Sequence, residues 1–344
     1  FDPPWCRGST VLMHRQPDNI WRIDYQLQPG ESTEAALTPE RVQEFVQRHL
    51  EAIGEGHLPW RPVWTSVYRA GAMTLDSYRH GRVLFAGNAA HALPIFGVRG
   101  LNSGFDDADN LAWKLAFVLR GQAAEALLDS YSNERIEAFQ INAENAMRST
   151  EFMSPPSRGF DLLREAALSL ARAHPDVAKL INPRQTHAIR YAESALSSPD
   201  HNAAFACGPE VGSVLVDLPG GAAGCGHLTD ALQAPGFALL VFDDEGTAAA
   251  ALERDLKWQV DAPDATTRAP WQLVRIGAPG TQADLEDPTG QIAERYGAGP
   301  GTVYLVRPDG HVAARWHRPR AIAVQRALQR ACAFEHSFEP ALQA

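Results

Sequence analysis

The segment from Val83 to Leu119 constrains the chain most, because it reads as a strand, a loop and a helix in direct succession. An apolar strand at 83–86 leads into a turn at Gly87, then into a loop rich in proline and glycine, and then into a helix that begins near Asn102. This order presents backbone N–H groups and a helix N-terminus, which favour an anionic or polarisable cofactor. The pattern is specific because seven positions occur in a fixed order: Gly87, His91, Pro94, Gly97, Gly100, Asn102 and Gly104.

The composition argues against several partners and locations. The chain has 31 Lys and Arg against 41 Asp and Glu, and its net charge of −10 argues against binding to nucleic acid or to anionic membranes. No apolar stretch approaches the roughly 18 residues that a membrane span needs. The 4 cysteines are scattered, so we expect reduced thiols in a cytoplasmic protein rather than a disulfide framework. The 12 histidines show no H-x-x-x-H or H-E-x-x-H spacing, so no metal site is predicted.

We predict a mixed α/β (α+β) fold in three parts, of which residues 1–82 form a partial sheet domain. Two β-rich runs within 9–28 flank a Pro-Asp-Asn turn and predict an antiparallel hairpin. Thr38 is expected to cap a helix that has Pro39 at its first position and runs to about Ala52. The segments 63–68 and 73–78 are predicted to be two further strands.

The second part, residues 83–200, is predicted to be mainly helical. A helix over 105–119 is expected to end at Gly121, and a second helix to span about 124–149. Irregular helices then run to about 197, where a linker over 197–202 begins. In the first of these helices Trp113 is expected to pack and Lys114 to be solvated. The apolar residues on one side of this helix are Ala108, Leu111, Ala112, Leu115, Val118 and Leu119.

The third part, residues 208–335, alternates strands and helices in the order β-α-β-α-β-β-α. In turn, these elements are predicted at 237–242, 247–256, 271–276, 289–296, 302–306, 311–316 and 320–334. The order resembles a thioredoxin-like fold, and Pro300 just before the last hairpin fits that resemblance. A redox-active member needs a C-x-x-C pair after the first strand, where this chain has Asp243-Asp244-Glu245-Gly246. We therefore expect a structural or dimerisation module without redox activity.

The glycine-rich motif, with the two segments before it, resembles the FAD-dependent aromatic hydroxylases of the para-hydroxybenzoate hydroxylase and phenol hydroxylase group. The resemblance covers roughly residues 9–150, and the thioredoxin-like part agrees with the phenol hydroxylase branch. It implies that 1–82 belong to a substrate-binding sheet domain and 83–200 to the C-terminal part of an FAD-binding domain. No G-x-G-x-x-G unit opens a βαβ segment, so we expect the first half of the FAD site to lie upstream of Phe1.

The resemblance also implies which residues contact the cofactor. Asn88 stands where the family has Asp, and as a neutral group it is expected to accept a weaker hydrogen bond from the FAD ribose. Pro94 is implied to shape the loop. The backbone that follows is implied to lie beside the flavin ring, whose reduced, anionic form a helix N-terminus favours. The implied cofactor-binding residues are Gly87, Asn88, Pro94, Gly97, Val98, Arg99, Gly100, Leu101 and Asn102.

For several side chains, two roles are consistent with the sequence. Asn88 either accepts from the ribose or simply takes a left-handed turn conformation. Arg99 either places positive charge near the flavin or lies at the surface, and His91 is either a proton carrier or, as we favour, a hydrogen-bonded structural group. Arg22 and Tyr25 either contact substrate or are ordinary sheet positions. No catalytic base is identified.

The function implied by the resemblance is an FAD-dependent monooxygenase that uses NAD(P)H and O2 to hydroxylate a small phenolic substrate. A homodimer is one assembly that the third part would support. The alternative is a non-catalytic remnant or a dimerisation or binding protein, because a flavin pocket without the G-x-G-x-x-G half is incomplete. Bound oxidised flavin, which is yellow, would distinguish the two.

Overall fold

The computed structural model describes residues 1–7, 9–27, 30–69, 71–181, 188–200, 205–222, 225–232, 234–260 and 269–334. These residues form a mixed fold of helices and sheets, as predicted. The chain divides into two compact units, of which the first comprises residues 1–73, 92–99 and 142–186 and the second residues 74–91, 100–141 and 187–344. The domain boundaries drawn from the sequence stay predictions.

The predicted N-terminal hairpin is confirmed in the first unit. Strands β1 (Val11–Arg15) and β2 (Trp21–Tyr25) pair antiparallel, with Val11 opposite Tyr25 and Arg15 opposite Trp21. The turn between them carries Asp18 and Asn19 at φ values of 58°, a conformation that short polar side chains tolerate.

The predicted helix after Thr38 is also confirmed. A short helix α1 (Thr33–Ala36) precedes helix α2 (Pro39–Ala52). The Thr38 side chain accepts a hydrogen bond from the Arg41 amide at 3.4 Å, so it caps the helix as the sequence pattern indicated.

The strand predicted at 63–68 is wrong, and the strand predicted at 73–78 is present only over its first two residues. Among the described residues no strand covers 63–68, where Val63 is 70% and Trp64 81% exposed. Only β3 (Met73–Thr74) forms in the second segment. Apolar side chains make a strand only where a neighbouring strand pairs with it, and the sequence does not show whether one does.

The glycine-rich motif begins with short elements. Strands β4 (Arg79–His80) and β5 (Val83–Leu84) pair antiparallel around a turn at Gly81. A single helical turn at Gly87–Ala89 follows, and then strand β6 (His91–Ala92). The predicted strand therefore exists but ends two residues early.

Four helices come next. They are α3 (Arg99–Leu119), α4 (Leu127–Met153), α5 (Arg158–Ala171) and α6 (Pro175–Ile181). Helix α3 starts three residues before Asn102, and its end near Gly121, which has a φ of 67°, is as predicted. Of the predicted linker at 197–202, residues 201 and 202 lie outside the described residues.

The apolar side of α3 is only partly buried: Leu111 and Val118 pack against buried clusters, and Leu115 is half-buried. Ala108, Ala112 and Leu119 are exposed, and Leu119 keeps 75% of its surface. The buried side is largely polar, and comprises Ser103, Asp107, Asn110, Trp113, Lys114 and Phe117. Polar side chains can be buried where each finds a hydrogen-bond partner, and a count of apolar spacing does not show such partners.

The C-terminal residues of the second unit form one sheet flanked by helices. In chain order its elements are β7 (Pro219–Ala222), β8 (Cys225–His227), β9 (Phe237–Phe242), α7 (Thr247–Val260), β10 (Trp271–Gly277), β11 (Leu285–Glu286), α8 (Gln291–Arg295), β12 (Thr302–Val306), β13 (Val312–His317) and α9 (Ala321–Ala331). The strand order is β13-β12-β9-β10-β11-β7-β8. The order of elements predicted from 237 onward is present, and the thioredoxin-like assignment that rests on it stays a prediction.

Strand β9 lies at the centre of this sheet. It pairs parallel to β10 and antiparallel to β12, and all six of its residues are buried. Phe237, Leu239 and Val241 face one apolar cluster, whereas Ala238 and the remaining residues of β9 face another, because side chains alternate along a strand. The first cluster also contains Trp113 and other residues of α3 and α4, so these helices pack on the sheet within the second unit. In the part of the chain that the structure describes, no helix is both long and apolar enough to cross a bilayer.

Candidate cofactor site

The turn at Gly87 opens the candidate site. Gly87 has a φ of 56°, a conformation that glycine adopts without strain. The Ala90 amide donates to the Gly87 carbonyl at 2.9 Å, which closes the turn. The Tyr131 hydroxyl donates to the Phe85 carbonyl at 2.7 Å and so holds the strand that leads into it. Asn88, at the middle of the turn, is exposed.

A fully buried carboxylate, Asp107 on α3, holds this turn from behind. Its Oδ2 accepts hydrogen bonds from the Gly87 amide at 2.8 Å and from Nε2 of His91 at 2.7 Å. Its Oδ1 accepts from Nε of Arg135 at 2.6 Å. Burial alone would raise the pKa of Asp107, but the His91 hydrogen bond and the Arg135 charge lower it below the usual range. His91 is therefore part of the structure of the turn, as we favoured.

Arg135 connects this carboxylate to two further polar groups. Its Nη1 donates to the Tyr191 hydroxyl at 2.8 Å, and its Nη2 donates to the Ser103 carbonyl in the first turns of α3 at 3.2 Å. The side chain is only 2% exposed, and its charge is balanced by Asp107. Burial raises the pKa of Tyr191 to about 12, so its hydroxyl stays neutral beside the guanidinium.

The start of α3 lies close to the Gly87 turn. A Cβ added at Gly104 would be 3.7 Å from the Gly87 Cα, which is ordinary van der Waals contact. Leu101 and Asn102, in the first turn, have exposed side chains. Five of the predicted cofactor residues thus belong to the second unit: Gly87, Asn88, Gly100, Leu101 and Asn102.

The other four predicted cofactor residues belong to the first unit. Pro94 is buried, whereas Val98 is 64% exposed and has a φ of 53°. A β-branched residue at positive φ is strained, and such strain concentrates at functional sites. Gly97, at a φ of 99°, allows the tight approach of Arg99, whose Nε would lie 3.1 Å from an added Cβ.

Arg99 is buried rather than at the surface. It is 2% exposed, and its Nη1 donates to Oδ1 of Asn142 at 3.2 Å. Burial lowers the pKa of its guanidinium. The surface interpretation of Arg99 is therefore wrong, and its part in cofactor binding stays a prediction.

The two candidate substrate residues lie on the β1–β2 hairpin of the first unit. Nε of Arg22 is 2.7 Å from Oδ2 of Asp24, and the Arg22 side chain is 56% exposed. The Tyr25 ring stacks on Phe45 with ring centroids 3.4 Å apart. Both side chains have structural partners of this kind, and their contact with substrate stays a prediction.

A second buried network, which was not predicted from the sequence, surrounds Glu134. This carboxylate pairs with Lys114 at 2.7 Å and with Arg307 at 2.6 Å, and it accepts from the Asn110 amide at 2.8 Å. Arg307 in turn pairs with Asp309, which also accepts from Nε1 of Trp113 at 2.9 Å.

The Glu134 network corrects the expectation that Lys114 is solvated. Lys114 has no exposed surface, and burial lowers its pKa to about 8 because Arg307 offsets part of the attraction of Glu134. Burial would raise the pKa of Glu134, but Arg307 and Lys114 outweigh it and hold that pKa well below the usual range.

The second unit's part of the loop fits a flavin nucleotide by its chemistry. A Cβ added at Gly87 or at Gly100 would meet no atom within 4 Å, so the backbone at both positions is open to a ligand. The N-terminus of α3 presents N–H donors and a positive dipole end, which suit an anionic group. Asn88 adds an exposed amide oxygen that can accept from a hydroxyl.

Known proteins are similar to this chain in sequence and in fold. Residues 7–146 match a family model described as "FAD binding domain". The chain is 29% identical over 334 residues to 6-methylpretetramide 4-monooxygenase of Streptomyces rimosus, covering 94% of this chain and 57% of that protein. It is 28% identical over 333 residues to 3-(3-hydroxy-phenyl)propionate/3-hydroxycinnamic acid hydroxylase of Mycolicibacterium vanbaalenii, a match that covers 95% of this chain and 56% of that protein.

Solved structures agree with these matches. The flavin-dependent monooxygenase PieE, solved with FAD and substrate, is 25% identical with a TM-score of 0.75, covering 94% of this chain and 59% of that chain. Aklavinone-11 hydroxylase, solved with FAD and aklavinone, is 25% identical with a TM-score of 0.66, and the match covers 88% of this chain and 52% of that chain. The chain therefore spans little more than half the length of the relatives it matches.

Proposed function

We propose that the chain, whose residues 7–146 match a family model described as "FAD binding domain", is part of an FAD-dependent monooxygenase that hydroxylates a phenolic substrate. NAD(P)H as electron donor, O2 as co-substrate and a cytoplasmic location belong to the same proposal. The observation that supports it best is the open Gly87–Asn88 turn, held by Asp107 beside the first turn of α3.

In this proposal the chain binds and orients the cofactor. When bound, FAD supplies the redox chemistry, carrying electrons from NAD(P)H to O2. The bare backbone at Gly87 and Gly100 would allow close approach of the nucleotide. The Asn88 side chain would accept from a ribose hydroxyl, and the N-terminus of α3 would stabilise negative charge on the reduced ring by about 0.3–1 kcal/mol.

The substrate class is inferred from the relatives. Their names include a 6-methylpretetramide 4-monooxygenase and a 3-(3-hydroxy-phenyl)propionate/3-hydroxycinnamic acid hydroxylase, and the second name specifies substrates with a hydroxylated aromatic ring. A hydroxylated aromatic ring is accordingly the substrate that we propose. Arg22 and Tyr25 remain the candidate contacts on this chain.

A second candidate, a non-catalytic binding or dimerisation protein, is favoured by one observation. Helix α3 exposes Leu101 (71%), Phe105 (67%) and Leu119 (75%) along its outer side. Apolar side chains grouped in this way are typical of surfaces that bind another polypeptide.

The experiment that tests the proposed function uses the purified chain incubated with FAD. The oxidation of NADH or NADPH is followed by absorbance in the presence of a hydroxyphenylpropionate or of a polycyclic phenol. The masses of the products are measured by mass spectrometry. The proposal expects a yellow protein, substrate-dependent NAD(P)H oxidation and a product heavier by one oxygen atom. A folded, colourless protein that gains no flavin on titration would contradict it and favour the second candidate.

A further inference from the structure

The second unit contains a continuous buried path from the Gly87 turn to the turn between β12 and β13. Arg135 and Glu134 are neighbours on α4 and point to the two ends of this path. Arg135 reaches Asp107, which holds the Gly87 amide, whereas Glu134 reaches Arg307 at the end of β12. The two turns are thus tied to adjacent residues of one helix.

Tyr191 closes the path between these ends. Its hydroxyl accepts from Nη1 of Arg135 at 2.8 Å, and its ring stacks on His311 with centroids 4.5 Å apart. The Arg307 guanidinium lies 5.6 Å from the same ring. Asp309 fixes both partners, because it pairs with Arg307 and lies 3.2 Å from Nδ1 of His311.

The charged members of the path and Tyr191 are buried, whereas the His311 side chain is 12% exposed. Asp107, Arg135 and Arg307 have side chains that are at most 2% exposed, and Tyr191 is 2% exposed. A buried charge that loses one partner carries a large desolvation cost, so the arrangement either holds as a whole or is strongly disfavoured.

We infer that Asp107 and Arg135 are positioning residues for the cofactor turn, and that the β12–β13 turn keeps Arg135 in place through Tyr191. The C-terminal sheet then has a role in the flavin site besides packing. The effect of the sheet on flavin binding rests on the proposed function, whereas the effect of the sheet on the Gly87 turn does not. The order of the turn at Gly87–Ala89 is what this path maintains.

The test measures amide hydrogen exchange of the full chain by NMR, without flavin. Tyr191→Phe removes one hydroxyl and keeps the ring that stacks on His311. Tyr296→Phe is the matched control, because it removes a buried hydroxyl that donates to the Val216 carbonyl at 2.7 Å, outside the path. Exchange at Leu240 in the centre of β9 reports global opening.

The inference expects Tyr191→Phe to speed exchange at Gly87 about fivefold and Asp107→Asn about tenfold, with Leu240 changing less. In Asp107→Asn the Gly87 amide proton should also lose the downfield shift of a bond to a carboxylate. The control should leave Gly87 unchanged. Equal acceleration at Gly87 and Leu240, or an unchanged Gly87 in Tyr191→Phe, would overturn the inference.

The same variants are then titrated with FAD. If Tyr191→Phe binds FAD more weakly than the unmodified chain and Tyr296→Phe does not, the path also affects cofactor binding. If the unmodified chain binds no FAD, the proposed function fails while the exchange result still decides whether the path orders the turn.

Discussion

The Gly87 amide donates a hydrogen bond to Oδ2 of Asp107 at 2.8 Å, across 20 positions of sequence. This contact joins the exposed turn that is proposed to meet FAD to a carboxylate with no exposed surface. Because Asp107 also binds His91 and Arg135, the shape of the turn depends on buried residues behind it.

Asn88→Asp is expected to tighten FAD binding several-fold. A charged acceptor makes a stronger hydrogen bond than a neutral one, and the difference is about 1 kcal/mol. Quenching of flavin fluorescence on titration gives the dissociation constant. Asn19→Asp, an exposed change of the same kind in the β1–β2 turn, is the control. An unchanged constant in Asn88→Asp would show that this side chain serves only the turn.

Gly100→Ala is expected to weaken FAD binding by about tenfold, or about 1.4 kcal/mol, because the added Cβ fills space that the ligand needs. Gly100 is the second residue of α3, and Gly159, the second residue of α5, supplies the matched variant Gly159→Ala. Neither change should lower the melting temperature, since alanine is a good helix former. Equal FAD affinity in the two variants would place the ligand elsewhere.

Glu134→Gln is expected to lower the free energy of unfolding by about 3 kcal/mol, because Lys114 would keep a buried charge without its carboxylate and Arg307 would keep only Asp309. Urea unfolding followed by circular dichroism measures the change. The control is Glu144→Gln on the same helix, whose pair with Arg148 is exposed on both sides. That control should cost less than about 0.5 kcal/mol. Similar losses in both variants would argue against the buried network as described.

The free energy of unfolding is expected to fall as the pH drops below about 4.5, the ordinary pKa of a glutamate. The pKa of Glu134 is lowered in the folded chain, so its contribution is present above that pH and is lost in acid. Asp107 and Asp309, whose pKa values are also lowered, act in the same direction. Urea titrations at several pH values should give a shallower acid slope for Glu134→Gln than for the unmodified chain. Parallel slopes would contradict this assignment.

Local signals predicted much of the fold. The Thr38 cap, the hairpin around Asp18 and strand β9 follow from capping, turn and alternation rules that act over a few residues. The strand predicted at 63–68 failed because pairing depends on a partner far along the chain. The burial of polar side chains on α3 was missed for a related reason, since Asn110 and Lys114 are satisfied by Glu134, and Asp107 is satisfied by Arg135.

The candidate site could also be predicted only in part, because some of its contacts join residues that are far apart in sequence. The glycines and Asn88 are visible as a motif because their spacing is local. Asp107 lies within the motif, but its role depends on Arg135 and Tyr191, which are 28 and 84 positions away. Only the fold brings them together, so a single sequence gives no signal for them.

The most direct measurement is a titration of the isotopically labelled chain with FAD, followed through its backbone amide resonances. The account predicts saturable shifts centred on the amides of Gly87, Asn88, Gly100, Leu101 and Asn102, with smaller shifts at His91. No saturable shift, or saturation that moves other amides and leaves these five unchanged, would contradict it.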